Sequence, residues 1–208
     1  MRYKTNSMNN TKITRVLGFS VLGMGGLFTL SSHLHLNGCL QPFPCAWPIS
    51  MPTSICIFLS GAALVCFNIY SKFFGMTILA LALHRFVELF TGTFQWIDLS
   101  QMKLITSFGF SVTGILFILN NHKLKKNTNN LFSVFLCTIL IAISSFELCL
   151  TFDPIEKTKP ELHQYYMHFY TALAFFFIGI ATLHSALKIN KSKNSWKQFI
   201  IQSYDLES

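Results

Sequence analysis

The stretch Leu131-Phe132-Ser133-Val134-Phe135-Leu136-Cys137-Thr138-Ile139-Leu140-Ile141-Ala142-Ile143-Ser144-Ser145-Phe146-Glu147-Leu148-Cys149-Leu150-Thr151 decides how this chain is read. It carries a single charged residue, Glu147, in a run as long as a membrane-crossing helix. About 20 residues rising 1.5 Å each cover the ~30 Å hydrocarbon core of a bilayer. The run lacks period-2 alternation, and its Leu, Ile, Phe and Ala favour a helix over a barrel strand. Five further blocks of the same kind cover residues 16–34, 49–70, 73–90, 104–119 and 168–187. The 208-residue chain is 51% hydrophobic and only 12% charged. A soluble domain carries about 25% charged residues. The expected fold is therefore an all-α membrane protein with six transmembrane helices over residues 16–188. A basic arm at 1–15 precedes the helices and a basic tail at 189–208 follows them.

Charge sets the expected orientation. Arg2, Lys4, Lys12 and Arg15 precede the first block, Lys72 falls between the second and third, and Lys123, Lys125 and Lys126 fall between the fourth and fifth. Lys188, Lys191, Lys193 and Lys197 follow the sixth. The alternate segments hold only Lys103, Lys157 and Lys159, among Asp98, Asp153, Glu156 and Glu161. Basic residues mark the cytoplasmic side, so both termini are expected in the cytoplasm of a bacterial inner membrane. The net charge of +8 is then explained by topology and anionic lipid rather than by nucleic acid. Trp47, Trp96, Tyr165 and Tyr166 stand at the expected outer boundaries, and Tyr70 and Trp196 at inner ones, where amphipathic rings prefer to sit. The first block is read as a retained helix, because no small-x-small cleavage site follows it. In the tail, Trp196, Phe199 and Ile200 share one face of a short amphipathic helix expected over residues 192–204, lying on the inner membrane surface.

The even-numbered blocks repeat. Thr53-Ser54, Thr106-Ser107 and Thr171-Ala172 each stand near the outer end, with Gly61, Gly114 and Gly179 eight positions beyond the threonines. Met51, Met102 and Met167 come shortly before them. The odd blocks each place an ionisable group near the outer face: His33 and His35, then His84, Arg85 and Glu88, then Glu147. Three pseudo-repeated helical hairpins about an axis along the membrane normal are expected. The glycines would allow close helix approach.

Charged groups in apolar helices are costly and mark candidate sites. Arg85 and Glu88, three apart, share a helix face and form a local pair in the simplest reading. Glu88, Glu147, Arg85, His84, His33 and His168 are the candidate ligand-binding residues. His33, His35, His168 and Met167 are candidate metal ligands, since imidazole with thioether suits copper or zinc. No paired CxxC or other metal-site spacing accompanies them. Cys39 and Cys45, in a Pro-rich segment, are a candidate disulfide if that side is oxidising. The chain has no nucleotide loop, G-x-S-x-G or H-E-x-x-H, so no catalytic residue is assigned and the cofactor is unknown.

The segment Met51-Pro52-Thr53-Ser54-Ile55-Cys56-Ile57-Phe58-Leu59-Ser60-Gly61-Ala62-Ala63-Leu64, with Glu88-Leu89-Phe90-Thr91-Gly92 and Ile97-Asp98, resembles bacterial integral-membrane sensor regions found N-terminal to histidine kinases, PAS modules and diguanylate cyclases. The resemblance covers residues 51–102. It implies a sensor-like, ligand-binding membrane module. In this chain no kinase, PAS or cyclase module follows the sixth block, so the expected output passes to a separate signalling protein. Met167-His168-Phe169-Tyr170-Thr171 also resembles a Met-His-Tyr-Thr motif of another bacterial membrane sensor family proposed to bind metal; Met51 and Met102 lack the following His. The alternatives are a small transporter or channel, in which Arg85, Glu88 and Glu147 line a pathway, and a membrane-bound metal or haem protein.

Overall fold

The computed structural model describes residues 12–34, 49–66, 69–91, 102–120, 128–151 and 168–205. His35, Cys39, Cys45, His163, Met167 and the aromatic anchors Trp47, Trp96, Tyr165 and Tyr166 lie outside them. The described residues form six helices and no strand: α1 Lys12–His33, α2 Met51–Cys66, α3 Ile69–Thr91, α4 Leu104–Asn120, α5 Thr128–Thr151 and α6 Phe169–Asp205. Three stretches, Lys12–His33, Leu131–Leu150 and Phe169–Leu187, are long and apolar enough to cross a membrane. The 16-residue α2 and the apolar part of α4, Leu104–Leu119, are shorter. At 1.5 Å per residue they cover about 24 Å.

The boundaries differ from the sequence reading by a few residues, α1 starting at Lys12 rather than 16 and α2 ending at Cys66 rather than 70, and two differences bear on the charges and the tail. Lys72 belongs to the first turn of α3 rather than to the link before it, because α3 begins at Ile69 and its Ser71 is already buried by packing. The tail is not a separate short helix: α6 runs without a break to Asp205. Between Ile180 and Asp205 the sequence has neither Gly nor Pro to end it. The part of α6 beyond Leu187 is about 27 Å long.

The helices pack as three hairpins, α1 with α2, α3 with α4 and α5 with α6. The hairpins join edge to edge through α2 with α3, α4 with α5 and α6 with α1. The three even helices also touch one another, so α2, α4 and α6 surround the centre and α1, α3 and α5 lie outside them. Equivalent positions meet in each hairpin. Gly61 lies against Leu22, Gly114 against Leu79 and Gly179 against Ile141. One turn deeper, Gly18 meets Leu64, Gly75 meets Phe117, and the Cys137 thiol donates to the Thr182 hydroxyl at 3.2 Å. Small residues let helix backbones approach where the hydrophobic effect gives little drive, since lipid tails are as apolar as leucine. At the far end of the bundle the Thr14 and Ser185 hydroxyls hydrogen-bond at 3.3 Å across α1 and α6.

The glycines fix the rotation of each even helix. A helix turns about 100° per residue, so a residue eight positions before the glycine points about 80° away from it. With Gly61, Gly114 and Gly179 turned to their hairpin partners, Thr53, Thr106 and Thr171 turn toward the centre. All three are 2% exposed or less. Seven residues deeper on the same stripe, Ser60, Thr113 and Ile178 are fully buried.

Candidate functional site

The even helices begin alike, at what we call the head end of the bundle. The first backbone bonds run from Ser54 N–H to Ser50 carbonyl, from Ser107 N–H to Lys103 carbonyl and from Ala172 N–H to His168 carbonyl, at 2.9 to 3.0 Å. Ser50, Lys103 and His168 thus occupy the capping position, and Thr53, Thr106 and Thr171 are each the third residue of their helix. The first turn of a helix leaves its N–H groups without intrahelical acceptors and carries about half a positive charge. Three such ends meet around one axis.

Their hydroxyls are used differently. Ser50 and Thr53 hydrogen-bond through their hydroxyls at 2.8 Å, which closes the start of α2. The Ser54 hydroxyl donates to the Met51 carbonyl and accepts from Thr29 of α1. The Ser107 hydroxyl donates to the Lys103 carbonyl. The Thr171 hydroxyl is fully buried and has no hydrogen-bond partner among the described residues. The deeper hydroxyls differ again: Ser60 donates to the Cys56 carbonyl and Thr113 to the Gly109 carbonyl, each in its own helix.

Around this ring stand the charged residues. Arg85 donates from Nη1 to Glu88 Oε2 at 2.9 Å, one helical turn along α3. Its Nε donates to the Met102 carbonyl at 3.0 Å, which ties α3 to the residues leading into α4. This is the local pair that the three-residue spacing predicts. Glu147 is buried, with 2% exposure, although glutamate is among the residues least often buried. The α5–α6 register, read from Cys137 with Thr182 and Ile141 with Gly179, brings Glu147 level with Ala172 and Leu173. Glu147 therefore stands beside the first turn of α6, where the helix dipole favours a negative group.

The remaining candidates separate. His168 is half-buried just before α6 and within the head-end layer. His84 is half-buried on α3 beside Arg85. His33 is exposed at the end of α1. Met51 is 46% exposed whereas Met102 is fully buried, so these two repeated methionines do not share one environment. Among the described residues no three His, Cys, Asp or Glu side chains come together to hold a metal ion. The sequence reading did not count the threonines among its site residues. The signal was present in the eight-residue spacing, which rotates them away from the glycines and toward the axis.

Truncation of Arg85 tests how tightly α3 is tied to the head end. Arg85→Ala leaves the Glu88 carboxylate, 11% exposed, without its guanidinium and removes a donor from the Met102 carbonyl. The expected loss is about 3 kcal/mol, typical of breaking one side of a buried pair. Glu88→Gln in the same chain should recover part of it, as read by thermal unfolding of the purified protein in detergent.

No protein-family model matches the chain, and no curated protein or solved structure matches it.

Proposed function

We propose that this chain is a membrane sensor or accessory module that crosses a bacterial inner membrane six times, with both termini cytoplasmic and the head end facing outward. Its three hairpins are pseudo-repeats about an axis along the membrane normal, and the shared positions at Gly61, Gly114 and Gly179 favour that reading. Ligand is received at the head end, and the response passes to a separate signalling protein in the same membrane. Nucleic acid has no part in it.

The observation that carries this reading is the layer of buried polar residues, with the buried Glu147, at the end of the bundle where α2, α4 and α6 begin. Thr53, Thr106, Thr171, Ser54, Ser107 and Glu147 are all 2% exposed or less. Thr53, Ser54 and Ser107 are engaged within the protein, whereas the Thr171 hydroxyl has no partner among the described residues, a cost that a ligand would relieve. The sensor-region resemblance of residues 51–102 leads to the same class. A conducting pathway is less favoured, because the axis below the threonine ring is filled. Ser60 and Thr113 spend their hydroxyl protons within their own helices, and Ala63, Leu116 and Ala181 are fully buried one turn further.

Two measurements test the proposal. With the native cysteines replaced by serine, a single cysteine at His33 should react with membrane-impermeant maleimide on spheroplasts, and one at Lys12 only after lysis. Crosslinking in native membranes followed by purification in mild detergent should recover one reproducible partner, whose yield falls in Glu147→Gln. Labelling of Lys12→Cys from outside removes the topology. Recovery of the chain alone in repeated preparations removes the sensor role.

A further inference from the structure

We infer that the centre of the head end, between the first turns of α2, α4 and α6, is a binding site for a small anion of halide or carboxylate size. The inference rests on the proposed head-end ligand site and names the chemistry of its ligand. Three helix starts converge there, each offering N–H groups of its first turn and a partial positive charge, an arrangement that favours anions. A second and independent observation lies inside it. The Thr171 hydroxyl is fully buried, stands on the axis-facing stripe of α6 and has no hydrogen-bond partner among the described residues. Buried hydroxyls are normally satisfied, and an exception calls for a missing partner. Thr113 shows the contrast, since its hydroxyl turns back to the carbonyl four residues earlier.

The charges of the layer agree with an anion. Arg85 and Glu88 offset each other as a pair. Lys103 caps α4 and adds a positive charge. The carboxylate of Glu147 opposes it from α5, level with Ala172 and Leu173 just below Thr171, close to the positive end of α6. A bound anion therefore competes with Glu147 for the same helix terminus. Glu147 sets the affinity downward, and removing its charge should tighten the site.

The test uses the purified full-length protein in detergent, titrated with chloride, acetate or inorganic phosphate at constant ionic strength, with the unfolding temperature and calorimetric binding as readouts. At least one of the three anions is expected to raise the unfolding temperature saturably. Thr171→Val keeps the shape of the side chain and removes its hydroxyl; it should weaken that anion about tenfold or more, as expected for loss of a hydrogen bond to a charged group. Glu147→Gln should strengthen it by a similar factor. Unchanged helical circular dichroism and elution volume establish that both variants fold. No saturable response to any of the three anions overturns the inference, as does an unaltered affinity in Thr171→Val. A response to sodium or potassium that Glu147→Gln abolishes overturns it in favour of a cation site. Anion binding in a protein that recovers no partner from native membranes would leave this inference standing and remove the sensor role.

Discussion

Gly61→Ala is expected to destabilise the first hairpin by more than about 3 kcal/mol, at or beyond the upper end for overpacked cores. A Cβ at Gly61 would lie 2.3 Å from the Leu22 nitrogen and 2.5 Å from its Cα. Gly25 is the reciprocal case, 2.3 Å from the Phe58 nitrogen. Backbone meets backbone there, so no side chain can rotate away and one helix must shift. The equivalent glycines form a graded series. At Gly114 the new Cβ meets the Gly75 carbonyl at 2.8 Å and the Leu79 nitrogen at 3.0 Å, a smaller but still rigid clash. At Gly179 it meets the Ile141 Cγ1 at 2.6 Å, and an isoleucine side chain can change rotamer. The expected order of loss is therefore Gly61, then Gly114, then Gly179. Gly23 supplies the control, since a Cβ there meets nothing within 4 Å. Gly23→Ala should be neutral or stabilising by about 0.5–1 kcal/mol, the usual helix preference for alanine. Thermal unfolding of the four variants in detergent checks the series. Wild-type stability in Gly61→Ala would mean that α1 and α2 do not touch as described.

Phe175→Ala should cost about 3–5 kcal/mol, the range for removing a fully packed phenylalanine. Phe175 is 1% exposed and joins the third hairpin to the second. Its ring meets Phe110 edge-on with centroids 4.7 Å apart, and it also fills the space over Gly109. In the proposed membrane setting the loss is chiefly one of dispersion contacts, because lipid solvates an exposed apolar side chain nearly as well as the core does. The same geometry predicts strong non-additivity. Gly109→Ala alone pushes a Cβ to 2.6 Å from Phe175 Cε2 and should destabilise. In a Phe175→Ala background the clash is gone, and the added methyl occupies part of the cavity. The double variant should be more stable than Phe175→Ala alone, which a double-mutant cycle measures as a coupling energy. Additive losses would show that Gly109 and Phe175 do not share this space.

Much of this architecture was legible in the residues alone. The six helices follow from six blocks of apolar residues, three of them long and apolar enough to cross a membrane. The Thr and Gly eight apart, repeated at residues 53 and 61, 106 and 114, and 171 and 179, mark the helices that share an environment. The pairing of Arg85 with Glu88 follows from their spacing on one helix. These are local properties, set by backbone geometry and by side chains within a few residues of each other.

Other features needed the assembled bundle. Hydropathy does not tell a core-facing residue from an outward-facing one when the whole helix is apolar. Leu30 is 60% exposed and Leu116 fully buried, yet both sit in apolar runs. The central position of α2, α4 and α6 depends on which helices meet, and that is decided by backbone approach at a few glycines. Glu88 and Glu147 show the same limit. The partner of Glu88 stands one turn away, and the sequence names it. The position of Glu147 beside the first turn of α6 is set by a helix–helix register between residues about 40 apart in the chain, held by Cys137 with Thr182 and Ile141 with Gly179. Composition and periodicity thus determined that the chain forms apolar helices in repeated pairs. Only the tertiary packing turned three threonines inward and left the buried hydroxyl of Thr171 without a partner among the described residues, because those relations depend on distances between helices.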